Sequence, residues 1–415
     1  MHTINIEGGK TLRGEIVVSG AKNSVVGLIP AAVLCDEDVN IYNVPQLSDV
    51  DNLIKILEYL NVQVESKEDY IRINPTSMTN KVIHNELSKK LRASYYFMGA
   101  LLGKYGHVEI SFPGGCVIGA RPIDLHLKGF KALGATITED GDNMIIEAEE
   151  LVGTNIYLDF ASVGATINLM LAAVKAKGKT IIENAAKEPE IVNIATFLNN
   201  MGARISGAGT NRIKIEGVDY LHSCFHEVIP DRIEAGTFVV LGAAVSDGLK
   251  VCNLIPEHIY SLTEKLREMG VPMEIGPDYV FVKKPEKYNP VDVQTLIYPG
   301  FATDLQQVLA SLMTKANGTS TIDETIWENR FQNLYELAKM GARIKVEGER
   351  AYIYGPTKLV GTTVMATDLR AGAALVVAGL MAEGKTEIQN ADYVLRGYEK
   401  IVEKLSNIGA SIELI

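Results

Sequence analysis

One of the four cysteines lies in a stretch whose composition is typical of a loop that can do chemistry. Cys116 follows two glycines and precedes VIGARP, whereas Cys35, Cys224 and Cys252 lie in more apolar stretches and are expected to be structural. A thiol with an ordinary pKa of about 8.5 is mostly protonated at neutral pH, as a proton donor must be. The pattern leaves two alternatives for Cys116, a catalytic acid or an inert thiol on a surface loop.

Basic residues recur at the starts of apolar, helix-like segments. They are Lys22 in SGAKN, Arg92 in KLRAS, Arg232 in PDRIEAG and Arg370 in TDLRAG, and Arg396 in VLRGYEK precedes the last amphipathic segment. A helix N-terminus exposes unpaired N–H groups and a positive dipole end, which attract phosphates and carboxylates. A single arginine is more often a solvated or ion-paired surface charge. The recurrence at equivalent positions favours an anion-binding surface.

Three aspartates occupy one position just before such segments. Asp231, Asp304 and Asp368 are each expected to be helix N-caps in most cases, because Asp accepts hydrogen bonds from the first free helix N–H groups. The pattern does not identify which of them acts as a general base. His126 is the only one of the seven histidines near other candidate residues.

The elements that position these residues follow from a repeat. Helix endings with glycine at the turn recur at Gly134, Gly202, Gly270, Gly341 and Gly409, with separations of 68, 68, 71 and 68 residues by subtraction. A sixth copy has Asn61 at the glycine position. Gly and Asn are the residues that best accept the left-handed conformation that ends a helix.

Each repeat contains one helix that is apolar on most sides and a second that is amphipathic. An apolar helix must be buried all round, so we predict an α/β fold of two lobes, each with strands around three buried helices. The predicted N-terminal lobe is 21–228 and carries the Cys116 loop, and the C-terminal lobe is 1–20 with 229–415 and carries Asp304, Asp368 and Arg396. The sixth repeat lacks a closing strand, which the N-terminal residues are expected to supply.

Composition excludes several classes of partner. The 415 residues include 40 Lys and Arg against 51 Asp and Glu, a net charge of -11, so no general basic field exists for nucleic acid or an anionic membrane. No CxxC pair or zinc-spaced Cys/His group is present, which argues against a structural metal. The N-terminus has no signal-peptide pattern, and we expect a cytoplasmic location. Oligomeric state is not indicated.

An ordered set of motifs resembles one enzyme family. FPGGCVIGARPIDLH (112–126), SGAKN, SVGAT, ENAAKEPEI, PDRIEAGT, ENRF, TDLR and RGYE run from residue 19 to residue 399. The set is similar to that of the UDP-N-acetylglucosamine 1-carboxyvinyltransferases. The resemblance implies a two-lobed inside-out α/β barrel of six repeats. It implies transfer of the enolpyruvyl group of phosphoenolpyruvate to the 3-hydroxyl of UDP-N-acetylglucosamine with release of phosphate, the first committed step of peptidoglycan synthesis, without a metal cofactor.

The resemblance also assigns roles by position. It implies that Lys22 and Asn23 contact phosphoenolpyruvate and that Arg121 and Arg396 hold its phosphate and carboxylate. Cys116 matches the catalytic acid, which can also carry a covalent adduct derived from phosphoenolpyruvate, and its glycine-rich loop is expected to close over the site. Asp304 matches the general base, so the resemblance selects it where the pattern did not.

A further group of positions matches the contacts of UDP-N-acetylglucosamine. These are Arg92, Arg121, Pro122, Ile123, Asp124, Leu125, Ser162, Val163, Gly164, Asp304 and Ile326, and Arg330, Asp368 and Arg370 are additional predicted substrate-binding residues. Two positions depart from some relatives, since Phe160 stands where certain members have Lys and Trp327 replaces a Phe that usually precedes ENRF. Both departures concern individual nucleotide contacts.

Two other functions remain open. The first is 5-enolpyruvylshikimate-3-phosphate synthase, which has the same repeat architecture and donor, but not a cysteine-bearing PGGC loop of this kind. The second is a catalytically silent paralogue that binds UDP-sugars as a regulator or scaffold. The presence of acid, base and cationic residues argues against the second.

Overall fold

The computed structural model describes residues 2–88, 92–111 and 123–415. They form two compact units. The N-terminal unit consists of the described residues from Gly20 to Ile229, and the C-terminal unit consists of those up to Ser19 together with Pro230–Ile415. The two units are described separately below.

The chain begins with two strands of the C-terminal unit, β1 (Ile4–Glu7) and β2 (Leu12–Val17). The first repeat of the N-terminal unit comprises α1 (Lys22–Ala32), β3 (Val39–Tyr42), α2 (Ser48–Tyr59), β4 (Gln63–Ser66) and β5 (Tyr70–Asn74). The second comprises α3 (Asn85–Ser88), a 3-10 helix (Arg92–Tyr95), α4 (Tyr96–Tyr105), β6 (His107–Ser111), α5 (Asp124–Ala132), β7 (Thr136–Asp140) and β8 (Asn143–Glu147). The third comprises β9 (Asn155–Tyr157), α6 (Val163–Ala173), β10 (Lys179–Glu183), α7 (Pro189–Asn200), β11 (Arg204–Ser206) and β12 (Arg212–Glu216), and β13 (Cys224–Glu227) ends the unit.

The C-terminal unit repeats this plan. Its first repeat comprises α8 (Arg232–Val245), β14 (Ser246–Cys252), a 3-10 helix (Pro256–Ile259), α9 (Tyr260–Glu268), β15 (Met273–Ile275) and β16 (Tyr279–Val282). The second comprises β17 (Asp292–Gln294), α10 (Thr303–Met313), β18 (Thr319–Asp323), α11 (Gln332–Lys339), β19 (Arg343–Glu347) and β20 (Arg350–Tyr354). The third comprises β21 (Thr363–Met365), α12 (Leu369–Met381), β22 (Lys385–Gln389), α13 (Asp392–Leu395), α14 (Ile401–Asn407) and β23 (Ser411–Leu414).

The six apolar helices are buried, as predicted. They are α1, α4 and α6 in one unit and α8, α10 and α12 in the other. Close packing between them depends on small residues, and Gly99 of α4 is the clearest case. A Cβ at this position would lie 2.2 Å from the carbonyl oxygen of Asn168 on α6, so no larger side chain fits without moving the helices apart.

The amphipathic helices end as the repeat predicts. The φ angles at Gly134, Gly202, Gly270, Gly341 and Gly409 lie between 84° and 101°, and Asn61 has φ of 62°. These values fall in the left-handed region that Gly and Asn adopt with little strain. The sixfold repeat, including the degenerate copy at Asn61, is therefore confirmed.

The sheets show how the repeats are completed. In five of the six sheets of the described residues, an edge strand runs parallel to the strand that follows the buried helix. In four of these five, the strand after the helix also pairs with an antiparallel hairpin. In the last repeat β1 lies between β22 and β23 and is antiparallel to both, so the predicted closing strand is confirmed. The exception is the sheet β6-β8-β7, where a single parallel bridge from Ile83 to Ile110 stands at the edge position.

The three cysteines that were expected to be structural differ in burial. Cys35 and Cys224 are buried, but Cys252 is half-buried, because it lies at the end of β14.

Among the described residues, none of the helices combines the length and the apolar character needed to cross a lipid bilayer.

Candidate active site

Lys22 is the first residue of α1 and forms a nearly buried ion pair. Its Nζ lies 2.6 Å from Oδ2 of Asp49, and the two side chains are 13% and 2% exposed. Asn23 follows in the same first turn and is half-buried. Ala21 at the N-cap has no side chain that can cap the helix. The positive end of the helix dipole and the Lys22 residue are both at the N-terminus of α1. Sequence reasoning missed Asp49, which carries no motif.

The three predicted nucleotide contacts of the SVGAT motif lie at the N-terminus of α6. Ser162 is the N-cap, and its side chain accepts a hydrogen bond from the Ala165 amide at 3.2 Å. Val163 and Gly164 form the first turn. A Cβ on Gly164 would lie 2.8 Å from the hydroxyl of Tyr95 and 3.2 Å from Nε2 of His126. Only glycine therefore allows the backbone to lie this close to the two rings.

The tautomer of His126 is defined because its partner, Asn168, is oriented by hydrogen bonds at both atoms of its side-chain amide. Asn168 accepts from the Gly99 amide through Oδ1 at 2.8 Å and donates through Nδ2 to the Tyr95 carbonyl at 3.1 Å. The same Nδ2 lies 2.9 Å from Nδ1 of His126, which must therefore accept. This network assigns the proton of the neutral ring to Nε2, on the side that faces Gly164.

Three further nucleotide candidates of the N-terminal unit lie at the start of α5. Ile123 precedes the helix and Asp124 and Leu125 form its first turn, with Asp124 exposed and the other two half-buried. Arg92 begins a 3-10 helix that leads into α4. Cys116, Arg121 and Pro122 lie outside the described residues. Phe160 has 47% exposure and lies two residues before the Ser162 N-cap.

In the C-terminal unit, Asp304 joins two buried arginines. Its Oδ1 accepts from Nη2 of Arg330 at 2.7 Å, and its Oδ2 accepts from Nε of Arg370 at 3.1 Å. The Arg330 and Arg370 side chains are 2% and 5% exposed, and that of Asp304 is 27% exposed. Both carboxylate oxygens thus accept a hydrogen bond from an arginine, and each retains a lone pair that can accept a further proton.

The structure separates the three aspartates that the pattern treated alike. Asp231 and Asp368 are N-caps, of α8 and α12, and each accepts from two amides of the following turn. Asp304 is the second residue of α10, after an Ala302 N-cap, and its carboxylate contacts arginines. The expectation that most of the three are N-caps is therefore confirmed by Asp231 and Asp368, whereas Asp304 lies two residues further along its helix. This shift turns the carboxylate away from capping.

Arg370 is held by a second buried contact. Its Nη1 lies 3.4 Å from the hydroxyl of Tyr398, which is 2.9 Å from the hydroxyl of Thr237. Burial lowers the pKa of the Arg370 guanidinium, but Asp304, Tyr398 and Asp231 raise it, and the net shift of the pKa is upward. Arg370 is therefore a permanent cation.

Asp368 has a contact beyond its capping bonds, since Nε2 of Gln307 on α10 donates to its Oδ2 at 3.4 Å.

Arg396 follows α13 and begins a loop that a polar cluster anchors. Ser19 donates its hydroxyl to Glu399 at 2.6 Å and its amide to Glu234 at 2.8 Å, and Lys404 donates to both Ser19 and Glu234 at 2.6 Å. Burial raises the pKa of Glu234 to about 7, although Lys404 and the Ser19 amide lower it. Sequence reasoning missed this cluster. The signal that could have found it is the placement of Glu234 and Glu399 inside the PDRIEAGT and RGYE motifs.

A buried carboxylate also orders the loop that carries Ile326 and Trp327. Glu324 is 1% exposed and accepts from the amides of both residues at 2.9 and 3.1 Å. It also accepts from the hydroxyls of Thr295 and Thr303 at 2.9 and 2.8 Å. The loop is thereby tied to the start of α10, next to Asp304.

The described residues therefore supply cations, helix N-termini and, in Asp304, a carboxylate that contacts arginines and does not cap a helix. Such a set can bind phosphates and carboxylates and can accept a proton. Within the described ranges, no group of three or more His, Cys, Asp and Glu side chains is placed to hold a metal ion.

Comparison with known proteins identifies the relatives of this chain. Residues 6–405 match the profile of the family described as EPSP synthase (3-phosphoshikimate 1-carboxyvinyltransferase). The chain is 55% identical over 407 residues to UDP-N-acetylglucosamine 1-carboxyvinyltransferase 2 of Listeria monocytogenes, covering 98% of this chain and 96% of the relative. It is 53% identical to UDP-N-acetylglucosamine 1-carboxyvinyltransferase of Streptococcus pneumoniae, with both chains fully covered.

Solved structures agree on the fold. The enolpyruvyl transferase NikO from Streptomyces tendae superposes with a TM-score of 0.91 at 26% identity, covering 100% of this chain and 98% of that one. An EPSP synthase from Acinetobacter baumannii superposes with a TM-score of 0.78 at 18% identity, with both chains fully covered, and at this identity shows the fold alone. The predicted fold of six repeats is confirmed.

Proposed function

This chain belongs to the UDP-N-acetylglucosamine 1-carboxyvinyltransferase family, and from this premise we propose how its residues carry out the reaction. It transfers the enolpyruvyl group of phosphoenolpyruvate to the 3-hydroxyl of UDP-N-acetylglucosamine and releases phosphate. The observation that carries this conclusion is the identity of 53% to 55% with relatives of that name over nearly the entire chain. The product is an intermediate of peptidoglycan synthesis.

The reaction is an addition followed by an elimination. The sugar hydroxyl attacks C2 of phosphoenolpyruvate and loses its proton to Asp304, while Cys116 delivers a proton to C3. Phosphate then leaves as C3 loses a proton, which restores the double bond. A well-placed acid or base contributes about 100-fold to 10,000-fold in rate.

The cations stabilise charge on the donor. In this proposal Lys22, Arg121 and Arg396 neutralise the phosphate and carboxylate, and Asn23 adds a hydrogen bond. The nearly buried Lys22 ammonium supports the assignment, because an ammonium in a partly desolvated position interacts more strongly with an incoming anion than one in water. Its Asp49 partner must share that charge with the substrate.

The acceptor is assigned to Arg92, to the RPIDL segment 121–125, to the start of α6 and to the loop after β18. The residues are Arg92, Arg121, Pro122, Ile123, Asp124, Leu125, Ser162, Val163, Gly164 and Ile326, with Arg330, Asp368 and Arg370 as further contacts. Support comes from the close approach that Gly164 permits and from the order that Glu324 imposes on Ile326.

Three further parts of the proposal concern the setting of the reaction. The functional lobes are 21–228 and 1–20 with 229–415, which the two compact units support. The protein works in the cytoplasm, where both substrates are made, and it needs no metal or organic cofactor. Cys116 can carry an adduct derived from phosphoenolpyruvate.

A comparison of two acceptors tests the proposal. Purified protein is given phosphoenolpyruvate with either UDP-N-acetylglucosamine or shikimate 3-phosphate, and phosphate release is measured. We expect release only with UDP-N-acetylglucosamine. Release with shikimate 3-phosphate alone would assign the chain to the other acceptor, and release with neither, together with retained UDP-sugar binding, would indicate the silent paralogue.

A further inference from the structure

A cavity of about 350 Å3 lies in the C-terminal unit at the end of the buried helices away from Asp304. Its lining includes Lys10, Lys284, Lys315, Lys358 and Glu383. Asp304 is in the first turn of α10, whereas Lys315 follows the last residue of that helix by two positions. Eleven helical residues span roughly 16 Å, so the cavity is separate from the proposed general base.

Lys315 is the most enclosed of these lysines. Its Nζ donates to the carbonyl oxygen of Ala244 at 2.7 Å and lies 5.8 Å from the centre of the Tyr288 ring. Burial and then the charge of Lys284 lower the pKa of Lys315 to about 8. Within the described part of the chain, no carboxylate forms an ion pair with it.

The N-terminal unit provides an internal comparison. Lys175 follows α6 by two positions, as Lys315 follows α10, and its Nζ lies 3.3 Å from Asp36 and 2.9 Å from the Asp219 carbonyl. Lys104 lies 3.7 Å from the same Asp36 and donates to the Cys35 carbonyl at 2.8 Å. There, one carboxylate serves two partly buried ammonium groups.

The first carboxylate after α8 in the C-terminal unit is used elsewhere. Asp247 is the second residue after α8, whereas Asp36 is the fourth after α1, and Asp247 lies 3.0 Å from Arg13 and 3.2 Å from Lys284. Glu383 is paired with Lys358. The cavity therefore has an excess of positive charge around Lys315, whereas Lys175 in the N-terminal unit lies beside the carboxylate of Asp36.

We propose that this cavity is a second anion site, which binds the phosphate group of a small phosphorylated molecule. Lysine ammonium groups bind phosphate as point charges, and a phosphate placed among Lys10, Lys315 and the Asp247-paired Lys284 supplies the counter-charge that Lys315 lacks. The volume exceeds that of a free phosphate ion and falls at the lower end of the range for small-molecule pockets, about 300 to 1,000 Å3. A phosphate monoester with a small organic part fits within this volume.

Selective acylation of lysines tests the proposal without relying on turnover. Only a neutral amine reacts with acetic anhydride, so the rate at Lys315, measured by peptide mass spectrometry against pH, reports its protonation and its access. The intact protein is compared in chloride, inorganic phosphate and glycerol 3-phosphate at equal ionic strength. Lys177, which is exposed in the other unit, is the reference.

We expect both phosphates to slow acylation of Lys315 and to raise its midpoint pH, with glycerol 3-phosphate acting at lower concentration. Stronger action of inorganic phosphate would assign the site to the free ion. Lys284→Ala should weaken the protection roughly 2-fold to 5-fold, as expected for one partly exposed charge contact, and Lys345→Ala should not change it. Equal rates in chloride and in both phosphates, or equal slowing at Lys315 and Lys177, would overturn the proposal.

Discussion

The pairing of Asp304 with two buried arginines predicts that this carboxylate stabilises the fold as well as serving catalysis. Asp304→Asn retains the size and one acceptor oxygen of the side chain but removes the charge. Arg330 and Arg370, at 2% and 5% exposure, would then lack their shared anion. Breaking a buried ion pair by removing one partner costs about 3–5 kcal/mol, and the partial exposure of Asp304 places this variant near the lower end.

The magnitude can be read from thermal unfolding. In a unit of about 200 residues, each kcal/mol shifts Tm by about 2–4 °C, so a loss of about 3 kcal/mol corresponds to about 6–12 °C. Asp323→Asn is a matched control. Asp323 has a similar exposure of 29%, but its partner Arg350 is 51% exposed, and we expect little change in Tm.

Activity supplies the second readout. If Asp304 accepts the hydroxyl proton, Asp304→Asn should reduce the rate of phosphate release by about 100-fold to 10,000-fold even at temperatures where it is fully folded. A variant with wild-type Tm would refute the argument from arginine burial. Wild-type turnover in a folded variant would refute the role of Asp304 as base.

Three other predictions concern different parts of the protein. Cys116→Ala should abolish or severely reduce turnover while UDP-N-acetylglucosamine binding persists, and Cys116→Asp should stay active and resist epoxide inhibitors such as fosfomycin, so full sensitivity of that variant would count against the acid role. Because the folded-state pKa of Glu234 is raised to about 7 from an unfolded value of about 4.3, its contribution to stability is present at low pH and declines as pH rises through that interval. The Tm of the wild type relative to that of Glu234→Gln should therefore fall between about pH 4 and pH 7 in calorimetry, and a constant difference would contradict the raised pKa. Gly164→Ala places a methyl group 2.8 Å from the Tyr95 hydroxyl and should weaken UDP-N-acetylglucosamine affinity in calorimetric titration, with unchanged affinity as the contrary result.

Much of the fold was predictable because local chemistry determines it. The helix endings at Asn61 and Gly134 have left-handed φ angles that few other residues tolerate, so their spacing reveals the repeat. The apolar surface of α6 can be satisfied only by burial on all sides. The incomplete last repeat likewise indicated a strand from elsewhere in the chain, which β1 supplies.

Other features depend on side chains that meet only in three dimensions. Asp231 and Asp304 are indistinguishable in sequence, yet one caps a helix and the other contacts Arg330, because a two-residue shift at the helix start redirects the carboxylate. Asp49 and Glu324 carry no motif at all. Their importance comes from burial beside groups distant along the chain.

By itself, therefore, the sequence determined the repeat, the buried helices and the family, since these depend on backbone conformation, hydrophobic periodicity and ordered motifs. Only the tertiary structure decided which carboxylate meets Arg370, which nitrogen of His126 carries the proton and which lysine lacks a counter-charge. The physical reason is that electrostatic and hydrogen-bond energies depend on distance and burial between groups, and neither quantity can be read along a chain.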